Sequence, residues 1–174
     1  MQYGTGEGYC LAIGRGRSAP ANSASATVGS RGPQFLFLIQ GIPATIPLSE
    51  LPGPTLPLLT RPVGEIRPVQ IAPHIAGLLW GSGMVGQQLW WHQDGWTVSV
   101  LVNAVTVPNP AKLVKMVQAT ALPAPHGRVF FTWGTPDSPS LAVFVRHGVR
   151  YLVAANEGRA LALAARMRRV GSHT

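Results

Sequence analysis

Leu89-Trp90-Trp91-His92-Gln93-Asp94-Gly95-Trp96-Thr97-Val98 is the stretch on which the reading of the chain turns. Asp-Gly between two apolar runs is the strongest short hairpin signal, because both central residues of a type I′ turn need positive φ. Beyond the turn, Trp96, Val98, Val100 and Val102 fall on every second position. A period of two gives a strand with one buried face. Trp90 and Trp91 are neighbours on the incoming strand and point to opposite sides of the sheet. Asn109 and Pro110 then supply an N-cap and a first helical residue. Leu113, Met116, Val117 and Thr120 follow at helical spacing, with Lys112 and Lys115 facing outward.

The same order of signals recurs downstream. Ala72-Pro73-His74 returns as Ala124-Pro125-His126, Trp80-Gly81 as Trp133-Gly134, and Gly95 as Gly148, the last two pairs at an offset of 53. Leu141-Ala142-Val143-Phe144-Val145 precedes a second turn at His147-Gly148, and Val149, Tyr151 and Val153 alternate after it. Asn156 is the expected N-cap of a second helix reaching about Val170, with Glu157 in its first turn and Leu163, Ala164 and Met167 inward. The expected fold is α+β: two repeated antiparallel β-hairpin plus helix units, residues 71–122 and 123–170, forming a curved sheet with the helices on one face. The two units are expected to associate about a pseudo-twofold axis.

Upstream, Gln34-Phe35-Leu36-Phe37-Leu38-Ile39 has the length of a strand and is bounded by breakers. Prolines 47, 52, 54, 57, 62 and 68 then rule out a regular helix. The segment reads as an extended connector along an edge of the sheet, with Leu48, Leu51, Leu56, Leu58 and Leu59 packed down. Residues 1–32 are rich in Gly, Ser, Ala and Thr and read as a flexible tail, 33–170 as a single domain, and 171–174 as a short tail.

With 174 residues and 46% apolar content the chain has material for a real core. Fourteen Lys and Arg against six Asp and Glu give a formal charge of +8, which favours anionic partners such as nucleic acid or acidic lipid. One cysteine, Cys10, excludes an internal disulfide and a cysteine-rich metal site. No apolar run approaches the ~20 residues of a membrane helix, and Leu11-Ala12-Ile13 is short of the ~7–15 apolar residues of a signal peptide. A soluble, unexported chain is expected.

Ile39-Gln40-Gly41-Ile42-Pro43-Ala44, then the stretch Leu89–Val98, then Lys112-Leu113-Val114-Lys115-Met116-Val117 together resemble a bacterial domain of unknown function found in anti-sigma-factor-like and sporulation-associated extracytoplasmic proteins. The resemblance covers about half of the chain. It implies a sensing or interaction domain, with no catalytic residues to carry over.

Catalytic chemistry finds little support in residue types. Glu7, Glu50, Glu65, Asp94, Asp137 and Glu157 are scattered, so a carboxylate pair would have to be assembled by the fold. His74 and His126 form a repeat-related pair suited to a metal or a proton switch, yet neither has a neighbouring carboxylate or thiol, and a turn histidine bonded to backbone is the favoured explanation of each. Cys10 has no base beside it, and Gly4, Gly6 and Gly8 lack the strand and lysine of a phosphate loop. No metal or cofactor is expected. Two binding surfaces are. An aromatic sheet face carrying Trp90, Trp91, Trp96 and Phe144 suits a protein or small apolar ligand, although such residues more often serve as core. A basic face of Lys112, Lys115, Arg150, Arg159, Arg166, Arg168 and Arg169 suits nucleic acid or an anionic surface, although arginines near a helix C-terminus also complement its dipole. The expected function is a non-enzymatic interaction or sensing domain using the aromatic face, with anion binding as the alternative.

Overall fold

Asp94 and Gly95 adopt φ values of 50° and 78°, and His147 and Gly148 adopt 51° and 74°, so both turns place two successive residues in the left-handed region. Around them the computed structural model describes residues 9–15, 34–46, 65–82, 86–102, 110–133, 139–156 and 159–167. These form strands β1 (Tyr9–Arg15), β2 (Gln34–Pro43), β3 (Ile66–Ala72), β4 (Ile75–Ser82), β5 (Gly86–Gln93) and β6 (Trp96–Val102), then helix α1 (Pro110–Gln118). Strands β7 (Gly127–Trp133), β8 (Pro139–Arg146) and β9 (Val149–Asn156) and helix α2 (Arg159–Arg166) complete them. All nine strands join one mixed sheet in the order β1-β2-β9-β8-β7-β6-β5-β4-β3. The protein is α+β.

Every neighbouring pair is antiparallel except β6 and β7, which run parallel with Trp96 beside Gly127 and Val102 beside Trp133. A parallel pair cannot be closed by a tight turn and needs a crossover. Residues 103–126, with α1 among them, provide it. This seam alters the expected symmetry: β4-β5-β6 and β7-β8-β9 follow one another in the same order and direction, head to tail, so the halves are not related by a twofold axis.

Ladder partners share a face, which sorts the side chains. Trp91, Val98, Val129, Ala142, Val153 and Ile39 are successive partners across the sheet. The first five are buried in one cluster with Leu113, Val114 and Val117 of α1 and Ala160, Leu161 and Ala164 of α2, and Ile39 packs against it. Lys112 and Lys115 are exposed. Polar atoms inside this core are paired. The Trp96 indole N–H donates to the Ala124 carbonyl (2.9 Å), the Trp91 N–H to Gln93 Oε1 (3.1 Å), and Gln93 Nε2 to the Val114 carbonyl (3.0 Å). The last two bonds fasten α1 to the end of β5. On the other side of the sheet Phe130, Leu141 and Ala154 form a second cluster with Leu101 against it.

Several elements depart from expectation. Tyr9–Arg15, within the stretch read as a tail, is edge strand β1, whose ladder partner β2 satisfies one side of a segment too short to show periodicity by itself. The rest of residues 1–32, the connector 47–64 and residues 171–174 lie outside the described residues. Pro68, read as part of the connector, stands in β3, where an edge position tolerates its missing N–H. Asn156 is the last residue of β9, opposite Pro139, and α2 begins at Arg159, so the cap signal lies inside the strand ladder. Asn109, Glu157 and Val170 lie outside the described residues. Gly77 opposes Trp91 and Gly127 opposes Phe144, which relates β4 to β7 by 50 positions. The Trp80-Gly81 and Trp133-Gly134 match, at 53, therefore does not mark equivalent ladder positions.

The two turn glycines separate strain from crowding. A Cβ on Gly148 meets nothing within 4 Å, whereas one on Gly95 collides with the Pro125 carbonyl oxygen and sits 3.2 Å from His126 Nδ1. Gly148→Ala is expected to cost only the left-handed penalty of roughly 1–2 kcal/mol. Gly95→Ala should cost clearly more, because the segment leading into β7 must also move; urea unfolding of the two variants compares them directly.

Candidate functional site

Alternation along β5 divides its aromatic residues between two environments. Trp91 is fully buried on the helix-contacting side, as is Trp96, and Phe144 joins them: its ring centroid is 6.1 Å from Trp96 and 5.2 Å from Tyr151. Three of the four residues expected to present an aromatic face thus lie in the core with the helices. Trp90 lies on the opposite side, half-buried, opposite Leu78 on β4 and Ser99 on β6. Its indole is 4.5 Å from the His92 ring in an edge-on arrangement and 6.3 Å from Trp80.

The edge-on contact suits a ring pair in which the edge of one meets the negative face of the other. His92 is exposed, and its Nδ1 is 3.3 Å from Thr97 Oγ1, the hydroxyl directly across the β5–β6 hairpin. Under this group Gln88 Nε2 donates to Ser99 Oγ at 2.9 Å, a buried polar pair that joins β5 to β6. Gln88 and Ser99 carry no signal of their own in the sequence, while Trp80 stands there only as one of the tryptophans of the repeats and His92 only as a residue flanking the Asp94-Gly95 turn. What could have located them is the parity of β5: once Trp91 is inward, Gln88, Trp90 and His92 must share the other face. The arrangement offers ring surfaces beside an imidazole and a hydroxyl, a combination that can stack on an apolar or planar group and hydrogen-bond its rim.

The basic residues are more dispersed. Lys112 and Lys115 are exposed on α1, which packs toward β3, and Arg159 and Arg166 are exposed on α2, which packs on β8 and β9. Arg150 lies on β9 with Nη2 donating to the Ala44 carbonyl (2.8 Å), while its Nη1 is buried with no hydrogen-bond partner. Arg168 and Arg169 lie outside the described residues. His74 occupies the β3–β4 turn, with φ 65°, and His126 leads into β7; both are exposed. They share one end of the sheet with His92 and His147, and among the described residues no three His, Cys, Asp or Glu side chains group to hold a metal ion. No helix among the described residues is long and apolar enough to cross a membrane.

No protein-family model matches the chain, and comparison with curated proteins and with solved structures finds no similar one.

The two adjacent tryptophans should respond differently to truncation. Trp91→Ala empties a fully buried site and is expected to cost about 3–5 kcal/mol. Trp90→Ala should cost well under half of that, as measured by denaturant midpoints of the two variants.

Proposed function

We propose that this chain is a non-enzymatic interaction or sensing domain that takes a protein segment or small apolar ligand on the sheet face carrying Trp80, Trp90 and His92. The reading includes two related hairpin-plus-helix units, with both helices on the opposite face. One observation carries it: Trp90 is left half-buried beside an exposed His92 on a sheet where Trp91, Trp96, Phe131 and Phe144 are withdrawn into the core. A half-buried indole keeps apolar area that a ligand can still cover, and tryptophans of this kind are over-represented among residues that dominate binding energy. The hydroxyl–imidazole pair of Thr97 and His92 gives the patch a polar rim for orientation. Sensing, the role implied by the resemblance in the sequence, is the same reading with a small ligand.

A second reading, attachment to nucleic acid or an anionic surface, draws on the formal charge of +8 and on the exposure of Lys112, Lys115 and Arg166. Contacts of that kind weaken steeply with salt.

Titration with the apolar dye 8-anilinonaphthalene-1-sulfonate, followed by energy transfer from tryptophan, tests the first reading. Saturable binding should weaken by at least about tenfold in Trp90→Ala and should be indifferent to Lys112→Gln, Lys115→Gln and Arg166→Gln. Duplex DNA binding that collapses between low and high salt and is lost in the Gln variants, with no effect of Trp90→Ala, favours the second.

A further inference from the structure

Strand register sets a cation beside the Trp90–His92 patch. His92 on β5 is partnered by Thr97 on β6, and Thr97 by Arg128 on β7, so the three form one row across the face that bears Trp90, at the end carrying the β5–β6 turn. Trp90, Ser99 and Phe130 form the next row inward. His92 and Arg128 are exposed, Thr97 and Trp90 are half-buried, and Ser99 and Phe130 are buried. The ground open to a ligand is therefore the outer row together with the accessible part of the Trp90 indole. With strands about 4.8 Å apart, the backbones at the two ends of the outer row stand roughly 10 Å from each other.

The chemistry of that row is one-sided. A guanidinium is always charged and presents its N–H donors in a planar fork that matches a carboxylate. Arg128 already makes an interaction, and five N–H donors are more than one such contact uses. The Thr97 hydroxyl, 3.3 Å from His92 Nδ1, can donate or accept. Neither carboxylate among the described residues stands in the row. Glu65 precedes Ile66, whose partner Trp80 lies on the far side of Trp90 from His92, and Asp94 is at the tip of the turn. An acid group on a ligand is thus drawn to the Arg128 end, and a cationic ligand is opposed there. One permanent cation balances one negative charge, so the match is to a monoanion.

We propose that this corner takes a planar aromatic carboxylic acid, its ring on Trp90 and its carboxylate on Arg128, with the Thr97–His92 pair along the edge between them. The inference rests on the reading of the Trp90 face as a binding surface for a small ligand, and it names the chemical class of that ligand. Trp90 and Arg128 are two strands and two residues apart, roughly 12 Å between backbones, a gap that an arginine side chain and a two-ring acid close between them. Ring stacking draws on the apolar area of the indole, whereas charge pairing draws on the guanidinium fork, so either is removable without the other. The formal charge of +8 also favours the approach of an anion over that of a neutral compound.

Isothermal titration calorimetry of the full chain with 2-naphthoate, 2-naphthamide and 2-naphthylmethylammonium separates the two contributions. The acid should bind at least about tenfold more tightly than the neutral amide, and the ammonium more weakly than either. Arg128→Gln should bring the acid down to the affinity of the amide and leave the amide unchanged, whereas Trp90→Ala should weaken both. An acid that binds the unaltered chain no better than the amide, or a preference for the acid that survives Arg128→Gln in a chain of native circular dichroism, would overturn the proposal, while amide binding that depends on Trp90 would leave the underlying reading standing. Amide binding untouched by Trp90→Ala, or binding of none of the three compounds, would overturn both.

Discussion

Trp96 sits at the point where the two halves of the sheet are welded. It opens β6, pairs in parallel with Gly127, and lays its indole over that glycine so closely that an added Cβ would stand 2.6 Å from the ring. Its N–H is satisfied by the Ala124 carbonyl just before β7. A buried indole needs both a flat surface and an acceptor, and the segment 124–127 supplies both. The same segment lies against the β5–β6 turn, since Gly95 has no room for a side chain beside the Pro125 carbonyl. The end of the crossover, the start of β7 and the hairpin turn are thus mutually located by one side chain and two glycines.

From this seam the assignment of faces follows. Once Trp96 is inward, strand parity sends Val98, Trp91, Val129 and Phe144 to the same side, where α1 and α2 bring their apolar residues. Gln93 would be an unfavourable core residue, yet it ends β5 where it can take the Trp91 N–H and return its own amide to the Val114 carbonyl of α1. A buried polar group that is fully bonded costs little and fixes geometry. On the other side parity leaves Trp90, His92, Gln88 and Ser99, a mixture of rings and hydrogen-bonding groups that suits contact with something other than a helix.

Much of this was legible in the sequence because it is local. The Asp94-Gly95 and His147-Gly148 turns, the alternation from Trp96 to Val102, the start of α1 at Pro110 and the outward Lys112 and Lys115 all depend on neighbours a few residues apart. What is missed is non-local. Nothing in Tyr9–Arg15 signals a strand until β2 is available to pair with it, and Pro68 looks like a breaker until β3 is known to be an edge. The parallel β6–β7 pairing and the offset between β4 and β7 are matters of register, which repeated dipeptides such as Trp80-Gly81 do not fix. For the site, parity showed that Trp90 and Trp91 must diverge; which of them faces the helices required the crossover.

The same parity that hides the site from the sequence also shapes it. On the second face of the central strands, burial falls toward the end that carries the β5–β6 turn: Phe130 and Ser99 are buried, whereas Arg128 is exposed and Thr97 half-buried one ladder level closer to the turn. Along β5 the series is buried Gln88, half-buried Trp90 and exposed His92. A tryptophan placed one level in from the turn therefore keeps part of its indole accessible while Gln88 and Ser99 beneath it are held by their own hydrogen bond. The ring surface and the imidazole at its rim are thus set by strand register alone, which is why no short motif announces them.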